Sequence, residues 1–325
     1  MIRKIVICLL TTVFLTTGSL AEAQQQAKVD RVGVIHLGGP FSTVVDGLRE
    51  GLRELGLQEG KQFVLEMQDV RGDLKMVEEA ARKFEREKVK LIYAVTTPVV
   101  TGVMQGTRDT PVVFSVGSDP VVAGFVQSFV KPGGRLTGVH YLVRDLTAKR
   151  LEILKEILPK LRVVVTFYDP RDRVAREAAE LGREEAKRQG MQFVERHAGS
   201  VEELRRGLQA LKAGEADAYF YTADAMVISQ AQLIIDTAMA KRLPTMFHEQ
   251  SLVAKGSLAS YGQSYYEIGH VSAKYVQRVL TGAHPRDLRV ETVDNVELAI
   301  NLKSAKQLGL TIPPNVLARA DKVIK

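Results

Sequence analysis

The chain has 325 residues, 45% hydrophobic and 26% charged, an ordinary globular composition long enough for two domains. Its 26 glycines and 11 prolines exclude a collagen-like or low-complexity chain, and no repeat of solenoid period is present. The net charge of +7 raises nucleic-acid binding, but basic residues are interleaved with acids in runs such as EEAARKFEREKVK, as on solvated helix faces, so no nucleic-acid partner is expected.

The first residues stand apart. Arg3 and Lys4 precede an apolar run from Ile5 to about Leu15, and Ala21-Glu22-Ala23 follows, the pattern of a secretory signal cleaved after residue 23. The run is short for a membrane span. Cys8, the one cysteine, lies inside it, so the mature chain is expected to have no disulfide, thiol nucleophile or thiolate metal site.

From residue 29 the chain alternates. RVGVIHL is a strand and FSTVVDGLREGLRELG a helix that Gly56 can close. QFVLEMQ is a strand, and DLKMVEEAARKFEREKV a helix with Asp73 as its cap. KLIYAV and PVVFSV read as strands. VVTGVMQGT and VVAGFVQSFV read as helices, RLTGVHYL as extended and TAKRLEILKEILP as helical. A second block repeats the alternation from RVVVTFY to the helix YEIGHVSAKYVQRVLTG, and RVETV and VELAIN follow as strand-like pieces. Strands alternating with helices imply parallel sheets, here two doubly wound α/β lobes. A (β/α)₈ barrel is not expected, because PGGRLTGV breaks the rhythm at mid-chain.

Ligands of open parallel sheets bind beyond the carboxyl ends of the strands. Those ends read HLGGPFS, VTTPVV, SVGSDPVV, FYDPRD, YTADAM and MFHEQS. Thr97-Pro98, Asp119-Pro120 and Asp169-Pro170 each set a capping side chain before proline, a helix-start pattern. Gly39 and Gly117 allow close backbone approach, and several helix starts facing one crevice suit a carboxylate. Asp119 and Asp169 therefore read as caps rather than catalysts. Asp224 has no proline after it and could pair with a ligand ammonium. Aromatic residues crowd the same ends, Phe41, Tyr168 and Tyr221 among them, with His248 beside Phe247. The six histidines are scattered singly, and no nucleophile elbow, Walker motif or dinucleotide fingerprint occurs. Neither metal, cofactor nor catalysis is expected.

The order and wording of these segments resemble a known family. GLREGLRELGLQEGKQFVLE, DPVVAGFVQSFVKPGGRLTGVH, ASYGQSYYEIGHVSAKYVQRVLTGAHPRDLRVE and INLKSAKQLGLTIPP are similar to the solute-binding proteins of ABC transporters that have a type I periplasmic-binding fold and include tryptophan- and tyrosine-binding members. The resemblance spans the mature chain. It implies two lobes joined by three crossover strands, residues 29–138 with 262–292 and residues 139–261 with 293–325. It further implies a periplasmic monomer that captures an amino acid or related zwitterion, aromatic ones included, and delivers it to an inner-membrane permease. By carry-over, Thr96, Thr97 and the loop from Ser115 through Gly117 and Ser118 to Asp119 would hold the ligand carboxylate. Asp224 would take the amino group, and Phe41 and Tyr168 would flank an apolar part. The chain departs from the family at DPRDR, YGQS and Ser118, which bears on ligand identity more than on fold. A cleft enzyme using Asp119 or Asp224, and a detached sensor domain, are the competing readings.

Overall fold

The structure, a computed structural model, describes residues 29–325; the expected signal, residues 1–23, lies outside the described residues. The first lobe runs β1 (Asp30–His36), α1 (Ser42–Glu54), β2 (Phe63–Asp69), α2 (Lys75–Arg86), β3 (Leu91–Val95), α3 (Thr97–Gly106), β4 (Val112–Val116) and β5 (Leu136–Tyr141). The chain then crosses to α4 (Thr147–Ile157), β6 (Val163–Tyr168), α5 (Arg173–Arg188), β7 (Gln192–His197), α6 (Val201–Ala210) and β8 (Ala218–Phe220). There follow α7 (Ala225–Ser229), α8 (Ala231–Ala240), β9 (Thr245–Phe247), α9 (Ser251–Ala254) and β10 (Ala259–Gly262). It returns for α10 (Tyr265–Leu280) and β11 (Glu291–Val293). It crosses a third time into β12 (Glu297–Asn301), α11 (Leu302–Leu308), α12 (Pro314–Leu317) and β13 (Lys322–Ile324).

Two sheets result, ordered β11-β5-β4-β3-β1-β2 and β13-β12-β10-β9-β8-β6-β7. Each follows the doubly wound order, with a switch point between β1 and β3 in the first and between β6 and β8 in the second. Every residue of β3 and β4 is buried, as strands covered on both faces require. One pairing breaks the parallel expectation: β12 runs antiparallel to β10, Ala259 opposite Ile300. The third crossing enters the second sheet from the cleft, at the carboxyl end of β10 where Glu297 pairs with Gly262, without a crossover helix, so its strand arrives reversed.

The lobe boundaries sit slightly apart from those expected. β5 stays paired with β4 to His140 and with β11 to Tyr141, so the first crossing follows Tyr141 rather than residue 138. The third lies between Val293 and Glu297.

Local chemistry explains most of the elements. Val44, Val45, Leu48 and Leu52 give α1 one apolar face. The helix ends in a Schellman motif, with Gly56 at φ 83° and the Leu57 and Gly56 N–H groups donating to Leu52 O and Arg53 O. VVAGFVQSFV is not a helix. Residues 119–135 form turns and bends: Gly124 takes φ 75°, and Gln127 N–H donates to Pro132 O to fold the segment back toward β5. Its apolar residues do not share a face: Phe125 and Val126 are buried, whereas Val122 and Val130 stand in solvent.

Candidate functional site

The carboxyl ends of both sheets meet at a narrow cavity between the lobes, with about 20 Å³ of free space. Phe41, Tyr141, Tyr221 and Tyr265 supply its aromatic surface. Phe41 stacks on Tyr265 at 5.1 Å, and Tyr141 meets Tyr265 edge-on at 6.2 Å. A wider groove between the lobes shares Thr97, Pro98, Asp172 and Val174 with this cavity, so the cavity opens outward past those residues.

On the first-lobe wall the start of α3 faces the cavity through Thr96, Thr97 and Pro98. Thr96 holds φ 90°, a left-handed backbone that a β-branched residue rarely adopts. Its Oγ1 is buried and has no hydrogen-bond partner. Ala223, on the opposite wall, also has positive φ, at 35°. Strain of this kind persists only where the surrounding structure over-determines it, and it clusters at ligand sites. Thr97 Oγ1 bonds Ser118 Oγ at 2.9 Å, which ties the turn after β4 to the helix start.

On the second-lobe wall the acid that reaches the cavity is Asp172, half-buried. Its Oδ1 caps α5, accepting from Val174 N–H at 2.8 Å and Ala175 N–H at 3.2 Å; its Oδ2 is uncommitted among the described residues. Burial, opposed by those two N–H bonds and reinforced by the Asp169 charge, raises its pKa to about 6.

The expected residues divide in two. Phe41, Thr96, Thr97, Gly117 and Tyr221 line the cavity. Gly39 does not: its Cα packs on Ser229 of the second lobe, where a Cβ would stand 2.3 Å from Ser229 O. Ser115 is fully buried against the Tyr93 hydroxyl, 2.7 Å away. Tyr168 donates to Glu195 at 2.6 Å, away from the cavity. His248 lies behind the wall, stacked on Tyr221 at 4.9 Å with Nε2 2.9 Å from the Tyr265 hydroxyl; burial holds its pKa well below the usual value.

Three acids take roles other than those expected. Asp119 caps a turn and not a helix, accepting from Val121 and Val122 N–H. Asp169 does not cap α5, because three residues on Asp172 does so; Asp169 clamps Arg171 instead, at 2.8 Å. Asp224 is an N-cap after all, its Oδ1 accepting from Val227 N–H at 2.9 Å and its Oδ2 from Asp169 N–H at 2.7 Å. Both oxygens are spent on backbone and the residue is buried outside the cavity lining, so it is not free to meet an ammonium. Burial and the neighbouring Asp172 charge push its pKa up. Asp172 and Tyr141 are site-facing groups that the strand-end reading left out, whereas Tyr265 belongs to the aromatic residues that crowd the strand ends in the sequence. The DPRDR departure was the available signal for Asp172.

A profile of the family described as ABC transporter substrate binding protein matches residues 32–324. A curated relative, the tyrosine-binding protein of Clostridioides difficile (strain R20291), is 28% identical over 265 residues, covering 81% of this chain and 76% of the relative. Among solved structures, a conserved domain protein from Vibrio cholerae is 31% identical with a TM-score of 0.82, covering 91% of this chain and all of that one. A Streptococcus pneumoniae ABC domain in complex with L-Trp has the same fold, with a TM-score of 0.81 at 24% identity over 91% of this chain and all of that one. With two doubly wound lobes around one cleft and a profile match over nearly the whole described chain, the protein belongs to the ABC transporter substrate binding protein family.

Proposed function

We propose that the protein is the periplasmic solute receptor of an ABC importer, and that it captures an aromatic amino acid or a close zwitterionic relative for delivery to an inner-membrane permease. The observation that carries the reading is the cavity's division of labour: donors at one wall, a carboxylate at the other, aromatic rings between. The tyrosine-binding relative supports the same substrate class.

In this reading the solute carboxylate meets Thr96 Oγ1 and the N–H groups at the start of α3, where the helix dipole adds roughly half a positive charge. Asp172 Oδ2 takes the ammonium, and the side chain lies among Phe41, Tyr141, Tyr221 and Tyr265. Binding closes the lobes about the three crossings, burying the solute and replacing its water with pre-aimed groups. Export by the N-terminal signal would place the protein where such solutes arrive.

Isothermal titration with L-tyrosine, L-tryptophan, L-phenylalanine and non-aromatic amino acids tests the proposal. A 1:1 complex with an aromatic member is expected, with ligand at 100 times Kd adding about 2.7 kcal/mol of stability. If no amino acid binds or raises the melting temperature, the zwitterion reading is wrong.

A further inference from the structure

Arg150, on the first turn of α4, is fully buried, the one Lys or Arg in that state among the described residues. Its Nη2 donates to Val143 O and Thr147 Oγ1, each at 2.9 Å. Its Nε and Nη1 have no partner. The phenols of Tyr221 and Tyr265, its titratable neighbours, are held neutral by burial, and among the described residues its hydrogen bonds go to a carbonyl and a hydroxyl and none to a carboxylate. Burial lowers its pKa to about 10, which still leaves the guanidinium ionised at neutral pH. His248 is close enough to feel this cation, and burial and the cation together hold it neutral. A buried cation of this kind is unfavourable until a partner of opposite charge arrives.

The missing partner has a place to come from. Val143, whose carbonyl Arg150 holds, lines the interlobe cavity, as do Tyr221 and Tyr265. The guanidinium therefore stands directly behind the cavity wall, near the first and second crossings. A strut that only tied the 142–147 connection to α4 would need one donor, and a neutral one would serve. Arg150 carries a full charge and two spare donor groups.

The geometry points to Arg150 as the receptor for negative charge in the cleft: its counter-ion is the carboxylate of the bound solute, reached by Nε and Nη1 directly or through one water. This rests on the amino-acid reading and sharpens it, since a carboxylate becomes obligatory and the corresponding bare amine is rejected. Thr96 and the start of α3 orient that carboxylate, and Arg150 neutralises it.

The test is titration of the wild type, Arg150→Met and Arg150→Lys with three probes: L-tyrosine, tyramine, which lacks the carboxylate, and 3-(4-hydroxyphenyl)propionate, which lacks the ammonium. Arg150→Met is expected to weaken L-tyrosine and the propionate by about 30-fold or more while leaving the weak binding of tyramine unchanged, and Arg150→Lys to recover part of the loss. Undiminished L-tyrosine affinity in Arg150→Met, or an equal loss for tyramine, overturns the proposal while the amino-acid reading stands. If the wild type binds the propionate but not L-tyrosine, the amino-acid reading fails, and Arg150 is judged on the propionate alone. Binding of tyramine alone refutes both. Should none of the three bind, ligand-free melting decides. An uncompensated charge predicts that Arg150→Met melts at or above the wild type, and a fall of more than about 5 °C makes the residue a structural strut.

Discussion

Thr96 combines a φ of 90°, a β-branched side chain and a buried hydroxyl without a partner. Each of these is unfavourable in the empty protein. Replacement by glycine removes both the backbone strain and the orphaned hydroxyl, at the cost of a more flexible unfolded chain. Thr96→Gly is therefore expected to stabilise the ligand-free protein by about 1 kcal/mol in chemical denaturation and to weaken solute binding by roughly tenfold in titration. Asp172 makes a prediction about pH. Its pKa is raised to about 6, so the folded state holds this proton more tightly than the unfolded chain does. Its contribution to ligand-free stability thus falls as pH climbs from the ordinary carboxylate range toward 6. An ammonium partner needs the ionised form, so affinity should be level above pH 7 and decline between pH 7 and pH 5. In Asp172→Asn that decline should vanish along with most of the affinity. Titrations at four pH values would show it; a pH-independent wild type would remove Asp172 from the ammonium.

At the scale of elements, α1 and α10 pack so closely that glycines are required at their crossing. A Cβ at Gly47 would stand 1.9 Å from Tyr266 O, and one at Gly269 would stand 1.8 Å from Val44 O. The contact fixes the first turn of α10, which presents Tyr265 to the cavity. Gly47→Ala is expected to cost about 3 kcal/mol through forced separation of the helices, whereas Gly190→Ala meets no neighbouring atom and is strained only by its φ of 68°. Urea midpoints of the two variants, with the same slope, would separate these causes. The element scale is also where a local signal misled. Asp119-Pro120 carries the grammar of a helix start, yet the segment must turn back to feed β5, and scattered apolar residues give a helix nothing to bury. Asp169-Pro170 carries the same grammar, and the helix begins three residues later under Asp172.

In the whole molecule, closure depends on surfaces that touch across the cleft. Gly39 of the first lobe sits against Ser229 of the second, and Gln230 Nε2 approaches Arg71 O at 3.4 Å. Gly39→Val would place a Cβ only 2.3 Å from Ser229 O, at a backbone φ of 58° that valine resists. The variant is expected to fold, to scatter as a more open particle in small-angle X-ray measurements with solute present, and to bind at least tenfold more weakly. Wild-type affinity together with wild-type compaction would show that the observed contact is not part of the bound state.

Sequence by itself determined the two doubly wound lobes, because strand and helix periodicities are local and their alternation admits few topologies. It also placed Phe41, Thr96, Thr97, Gly117 and Tyr221 at strand ends, where such sheets bind ligands. Tertiary structure decided which acid faces the cavity. Asp169, Asp172 and Asp224 are alike as residues, and their roles follow from which backbone N–H groups each meets once β6 and β8 lie side by side. It also decided the burial of Arg150. Residue 150 falls in a helix of mixed polarity whose lysines and glutamates stay partly exposed, and only packing against the carboxyl ends of the second sheet drives this one cation inside, with no counter-ion of its own.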